Sequence, residues 1–324
     1  MREQRFREYC AKRGFSPEQT EVQVSAVRDF EAFLAARGDL AAGVEVLKGH
    51  LTELIDKGLN SEERLLALAR YGFATGNNTL FIYMVGVLSG REVVSNLSTR
   101  AAKVAGRAAR DAVFADLALP PLGSPQEGYV EVTRRLVEGL RARLPVDTCR
   151  DVLAGNNHGI PRRTFSRLRR IYRKSGLDAV LRFRQESLVE TLEEHARSGK
   201  PWYEQEITPA VVDHVRRNPE IQSGVRVGQS IFVSKIPYAP VAYLGETDPK
   251  LRRYHMCHCP LARASILGDG PTVPPLWCYC SGGYEKLAFD VVFQRPVRVK
   301  VLESALAGDP GCRFEIEIPE GEMK

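Results

Sequence analysis

Through the first two hundred residues apolar side chains recur at three- and four-residue intervals, whereas near the carboxy terminus they recur at every second position. The first spacing lines one face of a helix and the second lines one face of a strand. Ser16-Pro17-Glu18-Gln19 combines an N-cap serine, a proline at the first helical position and a glutamine able to reach back, which is a capping-box signature. Val27, Phe30 and Phe33/Leu34 continue on one face, and the helix ends near Gly38. Further helices are predicted through Leu51, Leu54 and Ile55 to Gly58, from Asn60-Ser61 through Tyr71, and over Leu80–Leu88 after the Gly76-Asn77-Asn78 break.

Leu119-Pro120-Pro121-Leu122-Gly123-Ser124-Pro125 cannot continue a helix and reads as a linker. Beyond it, Val132, Leu136, Val137, Leu140 and Leu144 keep helical spacing, and a short helix opens at Asp147. A polar turn, Gly155 to Pro161, precedes another apolar stripe of Phe165, Leu168, Ile171 and Tyr172. From about Trp202 the period changes. Gln229–Ile236 reads as a strand, Tyr284–Phe293 as a helix, and Pro296–Glu303 and Cys312–Ile318 as strands joined across the Gly308-Asp309-Pro310-Gly311 turn. Paired antiparallel, the last two place Arg298 and Lys300 opposite Glu315 and Glu317.

The expected class is therefore α+β: an all-helical N-terminal region followed by a small α/β domain of ligand-binding type. The divisions are a helical domain at 1–118, a linker at 119–128, a helical segment with a basic face at 129–201 and a Cys-rich α/β domain at 202–324. Composition adds that 44% hydrophobic and 27% charged residues suit a folded globular chain rather than a disordered one. The amino terminus, MREQRFREYCAKRG, has no apolar run of the kind a secretory signal needs, and the longest such run, Leu80–Leu88, is short for a membrane span. With seven cysteines, an odd number, the expectation is a cytoplasmic protein carrying thiols or ligands rather than a disulfide framework.

Four of those cysteines lie close together, in Cys257-His258-Cys259-Pro260 and Trp277-Cys278-Tyr279-Cys280. Two C-x-C pairs could give four thiolates to one tetrahedral zinc, with His255 or His258 as substitutes. The same four residues could instead be buried small hydrophobes, since free cysteine is among the most buried residue types. A third reading concerns Cys280, which with Ser281-Gly282-Gly283 directly precedes the predicted helix. A helix N-terminus favours thiolate, the form that acts as a nucleophile. Trp277 and Tyr279, beside the second pair, are candidate ligand contacts. Strand alternation gives Glu303 the parity of Val297, Val299 and Val301, and gives Cys312 that of Phe314. A carboxylate and a thiol facing one interior could complete a metal site or touch a ligand, or Glu303 could simply reach water at a strand end.

The stretch from Tyr254-His255-Met256-Cys257 through Cys280-Ser281-Gly282-Gly283 and Val301-Leu302-Glu303-Ser304 to Gly311-Cys312-Arg313-Phe314 resembles an uncharacterised prokaryotic family. That family is grouped with L-2-amino-thiazoline-4-carboxylate hydrolase-like proteins and with hydrocarbon-binding, vinyl-reductase-type ligand domains. Trp202–Thr208 and Lys235-Ile236-Pro237-Tyr238 are similar to its phrases too. The resemblance implies a small α/β ligand-binding domain, often dimeric, in some relatives with a Cys-rich zinc site. Its phenol-sensing branch uses a Glu followed by cysteines as zinc ligands; this chain keeps Glu303 and Cys312 but carries Leu306 where a further cysteine belongs. The first third resembles the helical arm-type DNA-binding domain of tyrosine recombinases, through Asp29–Leu34 and the helix at 61–71, without that family's catalytic Arg/His/Tyr set.

Charge is the last element to change the picture. The formal net charge is +6, and the whole surplus lies in residues 101–200, with 19 basic and 12 acidic side chains. Nine of the basic ones fall between Arg162 and Arg184, against Asp178 alone. Such a face suits a nucleic-acid backbone or another anionic partner. It could equally be a solvated helix neutralised by Glu186, Glu190, Glu193 and Glu194. The leading expectation is a protein that binds a small molecule or metal through its carboxy-terminal domain. The alternative is a hydrolase using zinc-activated water or Cys280, and the third is nucleic-acid binding over 162–184.

Overall fold

Ser16 opens a helix as its sequence demands: its hydroxyl accepts the Gln19 N–H at 3.2 Å, and Gln19 Oε1 accepts the Ser16 N–H at 2.9 Å. Ser61 and Asn77 cap later helices in the same manner, each side chain accepting a backbone N–H three residues on. The computed structural model describes residues 2–38, 43–270 and 272–322, and divides into two units by internal contacts.

The first unit comprises 1–89, 119–128 and 203–205. It contains α1 (Arg2–Lys12), α2 (Pro17–Ala36), α3 (Val44–Asp56), α4 (Glu62–Thr75) and α5 (Asn78–Leu88). Phe6, Phe30, Leu47, Leu51, Leu65, Leu68 and Leu80 form its core, each burial contributing about 1.5–3 kcal/mol before entropy is counted. Residues 119–128 do not act as a free linker: Leu122 packs on this core and its carbonyl accepts from Asn60 Nδ2 at 2.8 Å.

The second unit takes 90–118, 129–202 and 206–324. Its helices are α6 (Arg91–Ala105), α7 (Arg107–Phe114), α8 (Val130–Arg143), α9 (Val146–Leu153), α10 (Ser166–Ser198), α11 (Pro209–Arg217), α12 (Pro240–Gly245), α13 (Pro249–Met256) and α14 (Tyr279–Val292). The division thus falls at 89/90 rather than at 118, because α6 buries Val93, Val94, Leu97 and Ala101 and packs against α9. The stretch Asn78–Ala105 has the length and apolar composition of a membrane span. Gly90, at φ 102°, interrupts it and leaves helices of 11 and 15 residues, each short of the ~20 a span requires.

Four strands form one antiparallel sheet in the order β1-β2-β4-β3, with β1 Val225–Val227, β2 Ser230–Ser234, β3 Val299–Glu303 and β4 Arg313–Glu317. The fold is α+β, a largely helical chain with this small sheet near its carboxy terminus. Val299 pairs with Ile316, Lys300 with Glu315 and Val301 with Phe314, as the alternation requires. On the outer face Lys300 Nζ lies 3.4 Å from both Glu315 and Glu317. On the inner face Ile231, Val233, Phe314 and Ile316 meet Ala288, Phe289 and Val292 of α14. That helix begins five residues before the expected start, so Cys280, Gly282 and Gly283 lie within its opening turns.

His50 of α3 is 4% exposed, its ring lies 5.1 Å from Phe30 and 4.8 Å from Phe33, and neither ring nitrogen has a hydrogen-bond partner among the described residues. Burial lowers its pKa from 6.5 to about 4. A lowered folded-state pKa gives stability that is complete above the unfolded value and is lost as pH falls from 6.5 toward 4. His50→Leu is therefore expected to flatten the stability-versus-pH curve between 6.5 and 5, by up to about 1.4 kcal/mol per pH unit. Urea titrations at several pH values check this; parallel curves for the two proteins would contradict it.

Candidate functional site

The second unit gathers the chemistry the sequence scatters. Cys257 caps the end of α13, the chain turns through Cys259, and a 3₁₀ turn at Pro275–Cys278 feeds the second pair into α14. Cys312 joins them from the strand side, where its carbonyl accepts the Lys235 N–H at 3.0 Å. Cys257, Cys280 and Cys312 are buried, Cys259 and Cys278 half-buried, and all are free thiols. Burial raises the pKa of every one, well above the ordinary range for Cys278 and up to about 12 for Cys280. They also raise one another: Cys257 feels Cys259 and Cys312, Cys278 feels Cys312, Cys257 and Cys259, and Cys280 feels Cys259. Each of these named pairs is thus near enough for one charge to oppose the other.

The sulfurs nonetheless turn to separate partners. Cys259 Sγ accepts the Trp277 indole N–H at 3.0 Å, and Cys278 Sγ lies 2.9 Å from Ser304 Oγ. His258 Nε2 engages the Ile236 carbonyl beneath the edge of Tyr238, and burial lowers its pKa to about 3. Among the described residues no three Cys, His, Asp or Glu side chains stand as a group able to hold a metal ion. Tyr279 is half-buried with the Arg150 guanidinium 5.4 Å from its ring centre. Glu303 departs from its expected parity. A bulge between Val301 and Glu303 sets it opposite Arg313 rather than inward beside Cys312, and its carboxylate lies against Gly311.

Cys280 has a neighbour that spacing did not reveal. His158 Nε2 lies 3.7 Å from Cys280 Sγ, and Asn157 Nδ2 lies 4.0 Å from it. Two glycines permit the approach. A Cβ on Gly283 would fall 2.4 Å from the Gly155 carbonyl oxygen and 2.6 Å from Ala154 C; one on Gly155 would fall 2.1 Å from Arg100 Cδ. The Asn157-His158 turn can therefore sit directly on the first turns of α14. Asn157 is held by donating to Leu153 O at 2.6 Å, while its own carbonyl accepts from Asn96 at 3.0 Å.

The electrostatic centre is Lys235, itself unforeseen as a site residue. Its ammonium is 3.2 Å from Glu285, with side chains only 8% and 2% exposed, and 4.7 Å from the centre of the Tyr284 ring. Tyr284 meets the edge of His158 at 5.3 Å, which closes a chain of contacts from Lys235 to Cys280. Burial opposes the ammonium, but Glu285, Tyr284 and Cys312 outweigh it and hold the Lys235 pKa above the ordinary lysine value. Its charge in turn lowers the imidazoles of His158 and His258, and works against burial at Cys259, Cys280 and Cys312. His158 remains open to solvent as a residue, while desolvation of its ring, followed by Lys235, lowers its pKa. With the thiol raised and the imidazole lowered, the resting pair is neutral, with the proton on sulfur.

A family model described as Family of unknown function (DUF6144) matches residues 241–323, which hold both C-x-C pairs, α14 and the closing hairpin. No curated protein and no solved structure matches this chain. His158 and Lys235 lie outside the matched stretch.

Gly283→Ala is expected to cost about 1–3 kcal/mol, the range for overpacking a filled interior, and to part His158 from Cys280. Denaturant titration reads the first effect. For the second, site-resolved alkylation should show Cys280 more accessible than in the parent; an unchanged labelling rate with unchanged stability would contradict the close packing.

Proposed function

We propose that the second unit holds a small molecule against Cys280 and acts on it by thiol chemistry, with His158 as the base. The observation that carries this reading is the 3.7 Å approach of His158 Nε2 to Cys280 Sγ in the first turn of α14. Sulfur attacks an electrophilic carbon of a carbonyl or imine type, forming a C–S bond as its proton passes to Nε2. The imidazolium then protonates the departing group, and water, deprotonated by the same imidazole, releases the product and restores the thiol. Negative charge developing at the attacked group is opposed by the α14 N-terminus and by Lys235. Attack and proton transfer go together, because a thiol with a pKa near 12 supplies almost no free thiolate at neutral pH. The hydrolase alternative and the small-molecule-binding expectation meet in this site.

With 4-nitrophenyl acetate as probe, the expected result is release of nitrophenolate with the acetyl group recovered on Cys280 by mass spectrometry. Cys280→Ser should abolish that adduct, and His158→Ala should slow it by about 10²–10⁴-fold, the usual worth of a positioned base. Because the imidazole pKa is lowered, the rate should hold below pH 6.5 before it falls. Acetylation confined to other cysteines, or full rate in both variants, would overturn the reading.

A second reading is favoured by the mutual influence of Cys257, Cys259, Cys278 and Cys312. Once turned from their present partners, four thiols brought this near would suit a structural zinc or iron ion, which would supply cross-linking of α13, α14 and β4 rather than the reaction at Cys280. Purified protein would then carry about one metal ion per chain, lost on substituting Cys257 and Cys278 by serine. Metal-free protein with native stability would end this second reading without touching the first.

A further inference from the structure

The nine basic residues between Arg162 and Arg184 separate into two populations. Arg162 donates to the Asp290 carbonyl at 3.0 Å and Arg169 to the Val292 carbonyl at 2.5 Å. Both thereby satisfy acceptors at the negative end of α14. Arg184 donates to the carbonyls of Gln222 and Ser223. These three are committed to backbone carbonyls of the unit, Arg162 while exposed as a residue.

Arg163, Arg167, Arg170, Arg173 and Lys174 are exposed, and among the described residues none of them forms an ion pair; Arg167 lies over the Phe183 ring, 4.2 Å from its centre. The acidic run expected to neutralise them makes no ion pair with them among the described residues. Glu193 pairs with Arg216 at 2.6 Å, and Asp178 lies 3.7 Å from Arg226. Glu186, which follows the Gly176 break, forms no ion pair with the five among the described residues. Arg182, one turn from Glu186 and past the same break, is left out of the patch.

Within α10, positions 167, 170 and 174 are spaced by three and four residues, so they form one stripe about 10 Å long, and Arg163 stands in the 3₁₀ turn that precedes it. The stripe cannot roll away from solvent, because Leu168 and Tyr172 on the other side of the helix are fixed in the core. It ends where Gly176, at φ 79° and ψ −177°, breaks the helix. Four of the five cations are arginines, whose planar forks fit phosphate oxygens two at a time. A regular line of phosphates is the partner that matches a line of exposed cations without carboxylate partners among the described residues.

We propose that the amino-terminal half of α10, with the 3₁₀ turn at Arg162–Phe165 that precedes it, is a binding face for the phosphodiester backbone of a nucleic acid, made by Arg163, Arg167, Arg170, Arg173 and Lys174 without reading base sequence. It is independent of the thiol chemistry at Cys280.

The test is fluorescence anisotropy of the full chain with labelled 20-base-pair duplex DNA, and with single-stranded DNA and RNA of the same sequence, over a salt series. Expected is binding whose logarithmic salt slope is about −4 for the preferred polymer, so that affinity drops about 250-fold between 50 and 200 mM salt. The triple variant Arg167→Gln, Arg170→Gln, Lys174→Gln should lose at least about tenfold in affinity, with the slope reduced by close to one for each charge removed. A control variant, Arg107→Gln with Arg141→Gln, should bind as the parent does. Circular dichroism and thermal unfolding establish that the variants are folded, which removal of exposed charges should leave unchanged. No binding to any of the three at 50 mM salt, an unchanged triple variant, or tighter association with phosphatidylserine vesicles than with every nucleic acid would overturn the proposal.

Discussion

Desolvation of α14 is the constraint on which the second unit is organised. Eleven of its fourteen residues are buried, and among them are Glu285, Lys286 and Asp290. Charges taken out of water are tolerated only when paired and hydrogen-bonded. The helix meets that demand in two ways: Glu285 takes Lys235 from the loop after β2, while Asp290 takes Lys286 and also accepts the Val297 N–H at 2.8 Å. Each pairing fixes a neighbouring segment in one place. An all-apolar helix could pack as well and would be free of the cost of burying ions, so the retained charges are better explained by what stands around them than by stability.

The same desolvation decides the chemistry of the thiols. A helix N-terminus favours thiolate, and Lys235 favours it too, yet Cys280 is pushed up to about 12 because burial is the largest influence on it. The expectation drawn from helix position alone therefore has the right location and the wrong balance. What position gives is a direction for the sulfur; what burial gives is a proton kept on it until a base takes it.

Some of this architecture is written plainly in the chain. The Ser16–Gln19 box, the alternation of 296–303 with 312–318 and the turn between them depend on residues near in sequence, and periodicity reads those well. The local density of Cys257, Cys259, Cys278 and Cys280 was legible as two C-x-C pairs, and Cys312 was reached only through strand parity. His158 was not, because its partner is more than a hundred residues away and they meet only where Gly283 has no side chain to hold off the backbone of Ala154 and Gly155. In a sequence a glycine within Asn-Asn-His-Gly signals a turn, and nothing marks the backbone it will touch. Lys235 was hidden for a related reason: it occupies what reads as the end of a strand, where lysine is ordinary. Glu303 shows the limit of parity itself, since one extra residue at a bulge reverses the face of everything beyond it.

The order in which segments alternate between the two units has a consequence for how the protein is made. Residues 1–89 cannot complete their unit until 119–128 arrive, and in between the chain lays down α6 and α7, which belong to the other. During synthesis, α6 must wait with Val93, Val94 and Leu97 uncovered until α9 emerges some fifty residues later. A fragment beginning at 119 would lack that helix altogether and expose the side of α9 it covers. Neither unit corresponds to one contiguous stretch of the chain, so no single cut in the gene would separate them.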